Sequence, residues 1–383
     1  MAVAVGCGRI EIVLSDGEAA SAGNVGENSP SKAEEAPTFV DAEMPTPTPT
    51  PEPTDAVAEI TPTPVPVVFS STTGNLIEES TRYQPILCVI GNSPKMRPQM
   101  GLMQADIIYE FPLEKDTADT CLVALFSDAR PPEVGPILDA RCYMADVFSE
   151  WGGAFVYKGY PDVKEYPANS AEFSAVNGSY CEENDTLFTE NRIVSSDEAS
   201  TTFFRLAEFA NTVYGSYQPE QTEQLSFEYG VFYEFGRHFD RVSLPFNSSD
   251  PQKAEFVYNL DDNMLYRYER NSKGALVQSK TLSAKGDGGS SYASEPLRVQ
   301  NLIVQHVRYD ALFDRYRSVG VIGSGECDYF VNGQYVAGNW SRKSADEPTT
   351  YTLRDGTPLV LEPGTTWIAL QPSSKDIRIR YGG

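Results

Sequence analysis

Histidine is almost missing from this chain: His238 and His306 are the only two among 383 residues. His306 sits in an alternating segment and His238 is one residue removed from Asp240, so neither belongs to an H-E-x-x-H helix or a recognisable catalytic triad. Cysteine is sparse as well. The six, at positions 7, 88, 121, 142, 181 and 327, include no C-x-x-C pair, which removes zinc-ribbon and thioredoxin-like chemistry and argues against a dense disulfide framework. Positive charge is short: 30 Lys and Arg against 54 Asp and Glu give a net charge of −24. Without an Arg-rich stripe to offset it, that charge repels phosphate backbones, and nucleic acid is not an expected partner. No apolar run reaches the roughly 18 residues that a membrane-spanning helix needs. Asp261-Asp262-Asn263 lacks the spacing of a calcium loop, and no cofactor is implied.

The length points to two folded domains and a tail. The tail is legible from composition. Residues 8–75 carry eleven acids and two bases, and from Ser15 to Pro66 the chain is rich in Ser, Glu, Ala, Pro and Thr, culminating in Pro45-Thr-Pro-Thr-Pro-Thr-Pro51. Too few large side chains are present to bury a core, so this stretch is expected to be a disordered stalk. Its proline-rich part, residues 45–66 in polyproline II, spans on the order of 70 Å at about 3.1 Å per residue. Ahead of it, Ala4-Val5-Gly6-Cys7 resembles the end of a lipoprotein signal whose Cys7 is lipidated, residues 1–7 being its remnant. A chance Gly-Cys near a cytosolic N-terminus fits these few residues equally well. The long Pro/Thr spacer behind it favours the anchor, because it would lift a domain away from a membrane.

Order is expected from about Ile77. Gln84–Gly91, Ala105–Leu113 and Cys121–Phe126 read as strands, and Cys88 and Cys121 within them read as small buried residues. Met144, Val147, Phe148 and Trp151 fall at helical spacing with Asp139 as the expected N-cap, and a strand follows at 153–157. A second helix is expected from Asp197 to Tyr214, with Phe203, Leu206, Ala210 and Val213 on one face. Residues 76–217 thus form a mixed α/β domain. From 218 to 383 the pattern changes to short alternating strands. Asn332-Gly333 between apolar flanks is a strong hairpin signal, because both central residues of a type I′ turn need φ > 0. Ser324 is expected in a turn, and the fold class is α+β, with a mostly-β second domain.

Several segments together resemble a known family. Arg97-Pro98-Gln99-Met100-Gly101-Leu102, Ala105–Glu110, Gly135-Pro136, Ala140-Arg141, Gly323–Phe330, Gly338–Arg342 and Pro363–Ile368 follow, in order and spacing, the two domains of the YerB-like lipoprotein family. The resemblance covers most of residues 84–371. It implies an extracytoplasmic lipoprotein of Gram-positive bacteria, anchored to the cell membrane, and it implies no reaction. Family positions usually held by Arg, Ser and His carry Leu138, Asp139 and Tyr157 here, and a Thr-Arg pair is replaced at Thr120-Cys121.

Arg97, Glu110 and Arg141, with Asp139 beside them, are therefore the candidate ligand-binding residues. Salt bridges at the edge of a core are the competing explanation for the same charges. The expected function is non-catalytic binding or scaffolding toward a cell-wall component or an envelope protein partner, with the membrane reached through the lipid on Cys7. The alternative is an envelope hydrolase acting through Glu110 or Glu114, with arginines positioning the substrate. Trp340 and Trp367 serve either as an aromatic binding surface or as core.

Overall fold

The computed structural model describes residues 67–79, 83–113, 119–141, 143–158, 179–181, 186–190, 201–212, 224–246, 254–284, 292–311, 317–345 and 347–382. Cys7, Glu114, Cys142, the side chain of Cys181 and the stalk up to Pro66 lie outside them. Thr63–Gly383 forms one compact unit, and the expected division near residue 217 falls within it.

The three apolar runs form strands Ile86–Gly91, Ile107–Pro112 and Thr120–Phe126, buried along their whole length. Successive strand residues face opposite sides of a sheet, and here both sides are covered. Leu87, Val89, Ile107, Val123 and Leu125 pack with helix Met144–Trp151, whereas Ile86, Cys88, Ile90, Ile108 and Ala124 pack with helix Leu206–Asn211. This explains continuous apolar runs where a one-sided sheet would alternate. Cys88, Cys121 and Cys327 are buried free thiols.

These strands do not end in a sheet of their own. One 16-stranded sheet runs through both halves, and its junction is the parallel pairing of Ile107–Pro112 with Thr366–Pro372, in register from Thr366 opposite Ile107 to Ala369 opposite Glu110. Beyond Thr366–Pro372 the order continues through Asn301–Val307, Gly323–Val331, Gln334–Arg342, Arg237–Leu244, Ala254–Asn259 and Met264–Arg270. The chain as a whole is mostly β. Asn332 and Gly333 sit at φ 46 and 74 in the tight turn between Gly323–Val331 and Gln334–Arg342, as their residue types require.

The sheet curls. Met264–Arg270 lies seven strand spacings from Ile107–Pro112, which in a flat sheet would be about 34 Å. Yet Arg267 and Glu110 are 2.7 Å apart. Gln99–Met100 also pairs in parallel with Lys280–Ala284. The far end of the sheet therefore folds back onto the amino-terminal half. A second tie is Arg342, which donates to the helix carbonyl of Asp146 and pairs with Glu150 at 3.6 Å.

Four expectations are corrected. Asp139 does not cap the first helix: Tyr143 occupies that position without a side-chain hydrogen bond, and Asp139 pairs with Arg141 instead. Within the expected helix 197–214, residues Thr202–Phe204 form a strand against Phe188–Glu190, and among the described residues of that span the helix is Leu206–Asn211. Phe203 packs on Met100 and Leu282; a distant strand partner outweighed local helical spacing. Ser324 lies in strand Gly323–Val331 and not in a turn. Order also starts earlier than Ile77, since Val67–Phe69 pairs with Leu76–Glu78 and the hydroxyls of Ser70 and Thr73 donate to Asp128.

Candidate binding site

Glu110 follows Ile108 by two residues and therefore points to the same face, into an apolar cluster. A lone carboxylate there would cost several kcal/mol, and the fold answers with five hydrogen bonds. Arg267 donates from Nη1 to Oε2 at 2.8 Å and from Nη2 to Oε1 at 2.7 Å, a bidentate pair. Thr120 Oγ1 donates at 2.8 Å and Asn92 Nδ2 at 3.3 Å to Oε1, and Trp367 Nε1 donates at 3.2 Å to Oε2. The Arg267 guanidinium also lies 4.4 Å from the centre of the Trp367 ring. Glu110 and Arg267 are each 1% exposed. Burial by itself would lower the pKa of Arg267, but Glu110 and Glu269 more than reverse this and raise it.

Arg97 belongs to the same network without touching Glu110. Its Nε lies 3.1 Å from Glu269 and donates to Asn92 Oδ1, and its Nη1 donates to the carbonyl of Arg270. Burial lowers its pKa, against the pull of Glu269. Asn92 is the link, bonded to Arg97, Gln99, Thr120 and Glu110 at once. Arg141 is not among the partners of Glu110; it pairs with Asp139 at 3.3 Å, nearer the surface. Two of the candidate residues, Arg97 and Glu110, are thus brought together and the other two form a separate pair. A carboxylate that accepts five hydrogen bonds from both halves of the chain acts as a joint between them.

A second acid, Asp106, is buried against the first described segment. Asp106 Oδ2 accepts from Thr72 Oγ1 at 2.7 Å and from the backbone N–H groups of Ser127 and Asp128. Burial first, then the charge of Asp128, push its pKa up to about 8 against those three bonds.

The open, concave polar surface lies elsewhere, in the carboxy-terminal half. A cavity of about 530 Å³ is lined by His306, Arg308, Ser324, Glu326, Trp340 and Lys375. Ser324 and Glu326 project from strand Gly323–Val331, and His306 comes from the neighbouring Asn301–Val307. His306 Nε2 lies 2.7 Å from Asp328 Oδ2, and Trp340 Nε1 donates to the His306 carbonyl at 3.0 Å. Gly325 is required here. A Cβ would stand 2.6 Å from Trp340 Nε1 and 2.9 Å from the His306 carbonyl. The lining carries both signs, Arg308 and Lys375 together with Glu326 and Asp376, which suits a ligand carrying both signs. Among the described residues no group of three or more His, Cys, Asp or Glu side chains is placed to hold a metal, and no helix is long and apolar enough to cross a membrane.

Residues 72–216 match the family described as "Protein of unknown function (DUF3048) N-terminal domain", and residues 242–368 match the corresponding C-terminal domain. The chain belongs to the YerB-like family. One relative, described as "Putative lipoprotein YerB" from Bacillus subtilis (strain 168), is 23% identical over 316 residues, covering 80% of this chain and 86% of that protein. The crystal structure of the YerB protein from Bacillus subtilis superposes with a TM-score of 0.65 at 21% identity, covering 82% of this chain and 99% of the other. That likeness shows a shared fold.

Within the family fold, two of the residues that complete the joint, Arg267 and Glu269, were not singled out from sequence; Trp367 was, as binding surface or core, and both it and Trp340 are buried. Arg267, Glu269 and Trp367 lie more than 150 positions from Glu110 and arrive by sheet curvature. One signal was present: Leu265, Arg267 and Glu269 share strand parity, and all three are buried. Tyr266 and Tyr268, on the opposite parity, look more like the inward face, and they conceal it.

Proposed function

We propose that this protein is an extracytoplasmic envelope protein, lipid-anchored at Cys7, whose folded body binds a cell-wall component without catalysing its cleavage. The observation that carries the reading is the division of labour between acids and cavities. Glu110, one of the two acids named for a hydrolase, is engaged in the joint with Arg267 and Trp367, while the other, Glu114, lies outside the described residues. The mixed-charge cavity around His306, by contrast, is open and about 530 Å³ in volume, within the range of small-ligand sites. Concave sites of that size suit a short extended ligand better than a flat protein partner, whose interface needs roughly 800 Å² on each side. The name of the Bacillus subtilis relative supports the anchor, as does the Pro/Thr-rich stalk behind Cys7.

Two experiments test this. Metabolic labelling with a fatty-acid analogue should mark the full chain and disappear with Cys7→Ala; label that persists contradicts the anchor. Purified wall fragments should retain the full chain and lose it when Ser324→Trp fills the cavity. Retention unchanged by that substitution, or capture by an envelope protein alone, would overturn the assignment of this cavity to a wall ligand.

A further inference from the structure

A second cavity, of about 500 Å³, opens on strand Gln334–Arg342 and is lined by Phe235, Arg237, Tyr335, Ala337, Arg354 and Asp355. Its charge is unlike that of the rest of the protein. In a chain with 54 acids and 30 bases, two guanidinium groups face one opening, and among the described residues neither has a carboxylate partner. The lining carboxylate, Asp355, has one oxygen occupied and pairs with neither guanidinium: its Oδ1 accepts from the backbone N–H of Thr357 at 2.9 Å and from Thr357 Oγ1 at 2.7 Å.

Aromatic rings complete the lining. The Arg237 guanidinium lies 3.7 Å from the centre of the Tyr381 ring, which fixes its plane while leaving its edge N–H groups free to donate. Tyr335 stands against Tyr381 at 6.2 Å between centroids and is held by the bond from its hydroxyl to Asp328 Oδ1 at 2.8 Å. Phe235 is 61% exposed at the rim, and Phe232, three residues before it, is 73% exposed.

From this combination we infer that the cavity binds an anionic saccharide, a sugar chain bearing carboxylate or phosphate groups. The forked donors of Arg237 and Arg354 match such oxyanions in a way that lysine cannot. The rings of Phe235 and Tyr335 offer flat apolar faces to the C–H face of a pyranose. A simple ion would use the arginines and have no need of the rings, whereas a neutral sugar would leave both guanidinium groups unpaired. The inference needs neither the lipid anchor nor the His306 cavity, so it stands or fails separately from the reading above.

The test is titration of the full chain with four probes: an oligogalacturonate, a phosphodiester-linked oligosaccharide, a glycerol phosphate oligomer and neutral chitotetraose. At least one of the two anionic saccharides should bind, more weakly as salt rises, and at least about tenfold more weakly to Arg237→Gln/Arg354→Gln. Phe235→Ala should weaken the saccharide several-fold. Both arginines and Phe235 are exposed, so these variants keep the fold, and a urea unfolding midpoint equal to that of the wild type verifies it. Failure of both anionic saccharides, equal binding of chitotetraose, or binding untouched by the double substitution overturns the inference. Glycerol phosphate bound as tightly as the saccharides, with no effect of Phe235→Ala, overturns its saccharide part.

Discussion

Replacing Glu110 by Ala removes one partner from the buried joint and leaves the Arg267 guanidinium, 1% exposed, without its bidentate acceptor. Trp367 Nε1 and Thr120 Oγ1 lose their acceptor at the same time. Breaking a buried ion pair from one side costs about 3–5 kcal/mol, out of a total stability on the order of 5–15 kcal/mol for a typical domain. Because the parallel pairing of Thr366–Pro372 with Ile107–Pro112 passes through this point, the loss should be felt in both halves together. Urea unfolding followed by tryptophan fluorescence is well placed to see it, since Trp367 and Trp340 report on the carboxy-terminal half and Trp151 on the amino-terminal half. Wild type and Glu110→Ala should each unfold in one transition, with the variant's midpoint strongly lowered. The double variant Glu110→Leu/Arg267→Met, which removes both charges, should recover much of the loss. A single variant weakened by less than about 1 kcal/mol, or one half melting while the other is untouched, would refute the joint as argued.

Three further outcomes follow from other buried contacts. Arg342→Met should destabilise by about 2–4 kcal/mol, because Arg342 is fully buried, donates to the carbonyls of Asp146, Ser344, Ala345 and Glu347, and partners Glu150; thermal unfolding that shifts by less than a few degrees would count against this. For Asp106 the sign is set by its raised pKa. The folded state holds a proton between about 3.9, the unfolded value, and about 8, so its contribution to stability is full below that window and is lost as pH rises through it. Asp106→Asn should flatten the fall in unfolding free energy between those limits, and an identical slope in the two proteins would contradict it. Gly333→Ala should cost about 1–2 kcal/mol or more, since φ is +74 and a Cβ would stand 2.6 Å from the Tyr258 ring; an unchanged denaturation midpoint would argue against the turn geometry.

What was legible in the sequence was local. Uninterrupted apolar runs such as Ile86–Gly91 and Thr120–Phe126 announced buried strands, and Asn332-Gly333 announced its turn through the one backbone shape those residues favour. Phe203 misled because its spacing to Leu206 and Ala210 mimics a helix face, while the strand it joins depends on Phe188–Glu190. Asp139 misled because the helix starts later than expected, at Met144 with Tyr143 as its N-cap, which leaves Asp139 four residues too early to cap it. The joint was half legible. Arg97 and Glu110 stood out as isolated charges in a family motif, but their partners Glu269 and Arg267 come from the far end of a curled sheet, and curvature on that scale has no local signature. The Arg237 and Arg354 cavity was invisible for the same reason, its two guanidinium groups being 117 positions apart in the sequence.

Incubation of the full chain with purified cell walls addresses the central claim, binding without cleavage, most directly. The chain should sediment with the wall and be released by Ser324→Trp, while the soluble fraction gains no wall fragments over time. Release of soluble fragments by the wild-type chain, abolished by Glu110→Gln in a variant that still folds, would contradict the account and make Glu110 a catalyst.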